Sequence, residues 1–157
     1  MAYELIETIE VGAGGAASIE FTSIPQDGVD LVLVTSLRSS TTSNAAFLVL
    51  NDASVTGKYL YGSGSVADSY TSGWGLMSTP SSATANTPSS TGTYISNYTS
   101  ATAHSVSVDA VTENNATAVT MTLNAGISTS TTAVTNLKIN AAVTFVQYST
   151  ASLYKIY

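Results

Sequence analysis

The chain has 157 residues, 44 % of them apolar, so it can fill the core of a single domain. Charged residues make up only 9 %, against about a quarter in ordinary globular proteins, which leaves few side chains for acid, base or ionic chemistry. A net charge of −6 gives no basic patch for nucleic acid or an anionic membrane, and the lack of cysteine excludes disulfides, thiolate chemistry and Cys-based zinc sites.

Serine and threonine number 24 each, while Val, Ile and Thr together supply 46 residues and the aromatics 13. Branched and ring side chains suit a pleated surface, so the composition predicts an all-β domain. The opening Met1-Ala2-Tyr3-Glu4-Leu5 shows no basic region followed by a long apolar one, and Leu31-Val32-Leu33-Val34 is too short to span a bilayer. A soluble product of a cytoplasm is the expectation.

Tyr3 to Val11 alternates loosely, with Tyr3, Leu5, Ile9 and Val11 on one face, and reads as a first strand near an edge. Gly12-Ala13-Gly14-Gly15 supplies a turn into Ser18-Ile19-Glu20-Phe21-Thr22, so the two strands look like a hairpin, closed off by Pro25-Gln26-Asp27-Gly28. Asp30 to Arg38 carries an unbroken apolar run that suits a central strand covered on both faces. Phe47-Leu48-Val49-Leu50 repeats the pattern. Lys58 then opens a segment rich in Gly and Tyr that runs to Trp74, where strand signals are weak. Residues 78–92, dense in Ser, Thr and Ala around Pro80 and Pro88, read as a long exposed loop.

Regularity returns with Thr93-Tyr94-Ile95 and Ser105-Val106-Ser107-Val108-Asp109, followed by a turn at Thr112-Glu113-Asn114-Asn115. Val119 to Asn124 is the cleanest period-two run, apolar on odd positions and polar on even ones. Ala133 to Asn140 places Leu137 and Ile139 inward, Phe145-Val146 starts a short strand, and Ala151 to Tyr157 makes the last one. Eight to ten such strands without a helical period predict one antiparallel β-sandwich, for which a jelly roll is the commonest eight-stranded form. The expected inward set is Ile19, Phe21, Leu31, Leu33, Val106, Val108, Val119, Met121, Leu123 and Ile139.

Little here supports catalysis. His104 is the single histidine, no Gly-x-Ser-x-Gly elbow precedes a helix, and the acids are scattered over strands and turns. Asp27-Gly28-Val29-Asp30 offers two carboxylates without the spaced ligands of a calcium loop, and Gly12 to Gly15 precedes a strand rather than a helix that could cradle phosphate. Neither cofactor nor metal is expected. The sequons at Asn97 and Asn115 are no more than chance supplies among so many Ser and Thr. The one distinctive feature is the cluster Tyr59, Tyr61, Tyr70 and Trp74 among glycines. Exposed rings stack on sugars or anchor protein contacts, so the tyrosines are candidates for a contact surface, while Trp74 suits contact and core equally.

Tyr3-Glu4-Leu5-Ile6-Glu7-Thr8-Ile9, Gly15 to Gln26, Asp30-Leu31-Val32-Leu33 and Ser36-Leu37-Arg38 resemble the opening of a family of small virion proteins of tailed bacteriophages, common in marine and cyanobacterial phages. Ser81 to Thr87, Asn97-Tyr98, Val111 to Thr117 and Phe145 to Ala151 extend the resemblance over nearly the whole chain, and residues 52–66 depart most from it. The resemblance implies a non-enzymatic β-sandwich on the outer surface of a virion, made in the host cytoplasm. Its position would be on the capsid as a decoration (cement) protein against the major capsid protein, or on the tail as a fibre or receptor-binding tip. With no shaft or coiled-coil segment for reach, decoration is the better match. A charge-poor, hydroxyl-rich surface suits burial against a copy of itself, a trimer first of all. A carbohydrate-binding module using the aromatics, or a host-surface glycan as partner, is the reading from another class.

Overall fold

The computed structural model describes residues 2–53, 55–62, 66–70, 73–114 and 118–157, with the backbone alone at 59–62, 66–70, 74, 114 and 118. Among the described residues there is no helix, and twelve strands follow one another: β1 (Tyr3–Glu10), β2 (Ala16–Thr22), β3 (Asp30–Ser36), β4 (Ala45–Leu50), β5 (Val55–Gly62), β6 (Val66–Tyr70), β7 (Trp74–Met77), β8 (Ser90–Ile95), β9 (Ser105–Asn114), β10 (Ala118–Ser128), β11 (Asn136–Phe145) and β12 (Thr150–Ile156). They form two antiparallel sheets, one of eight strands in the order β1-β12-β3-β8-β9-β10-β5-β6 and one of four in the order β2-β11-β4-β7.

Four pairings are nested: β1 with β12, β2 with β11, β3 with β8 and β4 with β7. Two hairpins are inserted into this scheme, β5–β6 between β4 and β7, and β9–β10 between β8 and β11. Both extend the same edge of the larger sheet, because β10 pairs with β5.

The sheets share one core. Ile19 and Phe21 from β2, Leu48 and Leu50 from β4, and Leu137 and Ile139 from β11 meet Leu31 and Leu33 from β3, Ile95 from β8, Val106 and Val108 from β9 and Leu153 from β12. Each fully buried side chain of this size contributes about 1.5–3 kcal/mol relative to its exposed state.

Several expectations are corrected. Among the described residues the count is twelve strands, because the Gly- and Tyr-rich middle forms β5, β6 and β7. The first two strands are not a hairpin: β1 lies in the large sheet and β2 in the small one, and Gly12 to Gly15 connects the layers. Gly15 has φ +70°, and a Cβ there would lie 2.8 Å from the Phe145 carbonyl oxygen, so this crossing requires glycine. A bulge between Leu5 and Glu7 interrupts the alternation of β1, leaving Tyr3 and Leu5 exposed while Ile6 and Ile9 pack on the core. β3 is central, as expected, but Val34 faces solvent, so the run is covered on one side only. β9 continues through Asn114, and Phe145 ends β11 rather than opening a new strand.

The largest correction concerns β10. Val119, Met121 and Leu123 point outward and are exposed, whereas Thr122, Asn124 and Ser128 are buried. The reason lies opposite. The inner face of β10 meets β7, the edge strand of the smaller sheet, and an edge strand presents unpaired backbone groups that need polar partners. Asn124 Nδ2 donates to the Gly75 carbonyl at 2.8 Å and to Thr122 Oγ1 at 3.0 Å.

Within 78–92, residues 90–92 belong to β8, and Ser78, Thr79, Ala83 and Ser89 are buried. Arg38 organises this segment. Its Nη1 donates to the carbonyls of Thr84 and Thr87, and its Nη2 to those of Ser81 and Ala83.

Candidate functional site

The backbone places Tyr59 and Tyr61 in β5 and Tyr70 at the end of β6, so the three tyrosines share the hairpin at the far edge of the large sheet. Trp74 begins β7 in the other sheet, opposite Leu48. The structure therefore does not gather the four on one sheet, and their side chains lie outside the described residues.

What is brought together is the outer face of β9 and β10. Val111 on β9 stands opposite Met121, and Leu123 opposite Asp109, with Val119 and Ile127 continuing the row along β10. These apolar side chains are all exposed, Val119 at 64 % and Leu123 at 40 %. Contiguous apolar side chains on a sheet face mark contact surfaces more often than single exposed ones do.

Beside this row the sheet has a hollow of about 500 Å³, bounded by Val32, Tyr94, Asp109 and Leu123. It exists because Gly92, in the central strand β8, carries no side chain, and a Cβ added there would meet nothing within 4 Å. Internal packing does not require this glycine, and in a strand interior it weakens the sheet. The hollow is thus open for something that approaches from outside. On its rim the Tyr94 hydroxyl donates to Asp30 Oδ2, which fixes the ring, and the neighbouring carboxylate pushes the phenol up to about 12. Sequence reading passed over Gly92 and Tyr94. The available signal was a glycine inside a strand pattern.

The remaining candidates have structural partners. The Nε2 of buried His104 donates to the Thr132 carbonyl at 2.8 Å. Asp27 and Asp30 diverge: Asp27 accepts from Lys155 Nζ at 2.8 and 2.9 Å, while Asp30 accepts from Tyr94 and, at 2.7 Å, from the Asn97 amide. Among the described residues no three His, Cys, Asp or Glu side chains are grouped so as to hold a metal ion. Likewise no helix among them is long and apolar enough to cross a membrane.

Lys155 ties the first and last strands together. Its side chain is 6 % exposed and also reaches Glu4 at 3.3 Å, with the Tyr157 ring 5.0 Å from its Nζ. The hydrogen bond from Lys155 holds the Asp27 carboxyl below the usual carboxylate range, and hydrogen bonds from Tyr157 and then Lys155 do the same for Glu4. The lysine itself is raised, chiefly by Asp27.

No protein-family model matches this chain, and it matches neither a curated protein nor a solved structure.

Proposed function

We propose that the chain is a non-enzymatic structural protein of a tailed-bacteriophage virion, a capsid decoration (cement) protein that contacts the major capsid protein through the outer face of its eight-stranded sheet. The observation that carries this reading is the exposed apolar row Val111, Val119, Met121 and Leu123 beside the hollow over Gly92. Apolar side chains that leave the core and crowd one side of a sheet suit burial against another protein, and few charges there would need stripping of water. The resemblance of the sequence to small phage virion proteins supports the particle as the setting.

The nested strand pairs support reading the sandwich as a jelly roll with two inserted hairpins. Burial of His104 against a backbone carbonyl supports a non-catalytic role for the single histidine. A homotrimer on the particle is part of the proposal, since a charge-poor, hydroxyl-rich surface buries against its own copy at low desolvation cost.

The test is incorporation into particles. The double variant Val119→Glu, Met121→Glu changes two exposed positions, so its melting temperature should stay close to that of the parent while its amount in purified virions, measured by quantitative mass spectrometry, falls. Normal incorporation would reassign the contact face. Absence of the parent protein from purified virions would overturn the virion reading. A cryo-EM map showing it on the tail would replace decoration by a fibre or receptor-binding tip, and monomers seen both in solution and in the map would remove the trimer.

A further inference from the structure

Asn86 and Tyr148 both adopt left-handed backbone conformations, with φ of 61° and 69°, and both line one hollow of about 470 Å³ where the β11–β12 turn meets the segment 81–88. Asparagine tolerates this region because its short polar side chain relieves the local clash. For tyrosine it is a genuine outlier. Backbone hydrogen bonds hold the turn, but among the described residues nothing calls for a tyrosine at this position: Tyr148 is 70 % exposed, and its hydroxyl has no hydrogen-bond partner among them. Glycine would form the same turn without steric cost. An aromatic held outward at such a position is useful to something outside the chain.

Both walls of the hollow are fixed before any ligand arrives. On one side the four carbonyl contacts of Arg38 hold residues 81–87. On the other, the turn is pinned by Val146 N to the Arg38 carbonyl at 2.9 Å and Tyr148 N to the Val11 carbonyl at 2.9 Å. Ser149 completes the seam, its Oγ accepting from the Arg38 amide at 3.1 Å. Binding here would order little that is not ordered already, which favours affinity.

The lining defines the ligand. Tyr148 and Pro88 supply apolar ring surfaces, and the Asn86 and Gln147 side chains are exposed with no hydrogen-bond partner among the described residues. Each amide offers a donor and an acceptor, which matches a pair of adjacent hydroxyls. No carboxylate lines the hollow, and both terminal nitrogens of the Arg38 guanidinium are committed to backbone carbonyls, so no free ionic partner stands there. The volume falls within the ~300–1,000 Å³ usual for small-ligand sites. From these features we infer that the hollow beneath Tyr148 is a binding site for a neutral saccharide, whose apolar ring face lies on the tyrosine and whose hydroxyls meet Asn86 and Gln147. The inference stands apart from the docking face, because no residue of the outer β9–β10 row lines this hollow.

The test uses the full chain and a panel of neutral hexoses, N-acetylhexosamines and their disaccharides, followed by saturation-transfer NMR and titration. At least one member should bind, with transfer strongest at the ring protons of one sugar face. Tyr148→Gly should weaken that binding about tenfold or more. The same substitution relieves the left-handed backbone, so its melting temperature should hold or rise, which a merely structural tyrosine would not allow. Tyr148→Phe keeps the ring and should retain most affinity, while Asn86→Gly and Gln147→Ala should each weaken it several-fold. Failure of every neutral sugar to bind, binding confined to sulfated or uronate sugars, or binding untouched by Tyr148→Gly would each overturn the proposal, whichever partner the outer sheet face takes.

Discussion

Strands β10 and β11 are almost equally long and alternate apolar with polar residues, yet they present the pattern to opposite sides. On β11, Leu137 and Ile139 are buried against the larger sheet, and their neighbours β2 and β4 pair with them on both edges. On β10 the apolar positions face solvent, and Thr122 and Asn124 turn inward toward the edge of β7. The difference teaches that burial follows what the opposite layer offers. A sheet face selects apolar partners, whereas a sheet edge with unpaired carbonyls selects donors.

The sharpest way to break this comparison is truncation on both strands. Leu137→Ala should cost roughly 2–5 kcal/mol by opening a cavity in the core. Leu123→Ala should stay within about 0.5 kcal/mol, as an exposed substitution does. Equal losses in urea-melt stability would show that β10 faces the core after all. Next in size is Asn124→Ala, which strips the part-buried Gly75 carbonyl of its partner and should cost about 1–3 kcal/mol. A smaller effect of opposite sign is expected at Thr93, on the inner face of β8 opposite Leu33 and Val108. Its hydroxyl is buried without a partner among the described residues, so Thr93→Val should raise the stability by about 1 kcal/mol. A lower melting temperature would mean that the hydroxyl has a partner.

The same contrast explains what could be read from the chain. Where the two full sheets overlap, alternation assigned Ile19, Phe21, Leu31, Leu33, Val106, Val108 and Ile139 correctly, because a two-residue period has one apolar face and that face met another sheet. The rule fails at β10 because it carries no knowledge of layer width: the large sheet has eight strands and the small one four. The bulge in β1 and the separation of β1 from β2 are likewise products of long-range pairing, which the local turn chemistry of Gly12 to Gly15 cannot express. Of the candidate surface, the abundance of Tyr was visible, but the placement of Gly92, Tyr94 and Tyr148 depends on backbone geometry and neighbours distant in sequence.

Two lysines, one from each sheet, are held differently, and acid pH should expose that difference as the smallest of the expected effects. Among the described residues Lys138 on β11 forms an ion pair with Glu20, at 2.7 Å, both side chains being partly exposed, while Lys155 on β12 is nearly buried between Asp27 and Glu4. The carboxyls of Glu20, Asp27 and Glu4 all lie below their ordinary values of 4.5, 3.8 and 4.5 in the folded chain, Glu20 because of Lys138. As pH falls, the unfolded chain therefore takes up these protons first. The pairs contribute fully above the ordinary carboxylate values, and their contribution is lost as pH drops through the lower folded ones. Lys155→Met returns Asp27 and Glu4 toward ordinary behaviour, so the variant should lose less stability between neutral and acid pH than the parent does. Lys138→Met should alter that slope less, and less again in high salt, because an exposed pair is screened. Denaturant melts across the acid range measure both slopes. Parallel curves for the Lys155 variant and the parent would show that the buried lysine is not what holds these carboxyls ionised.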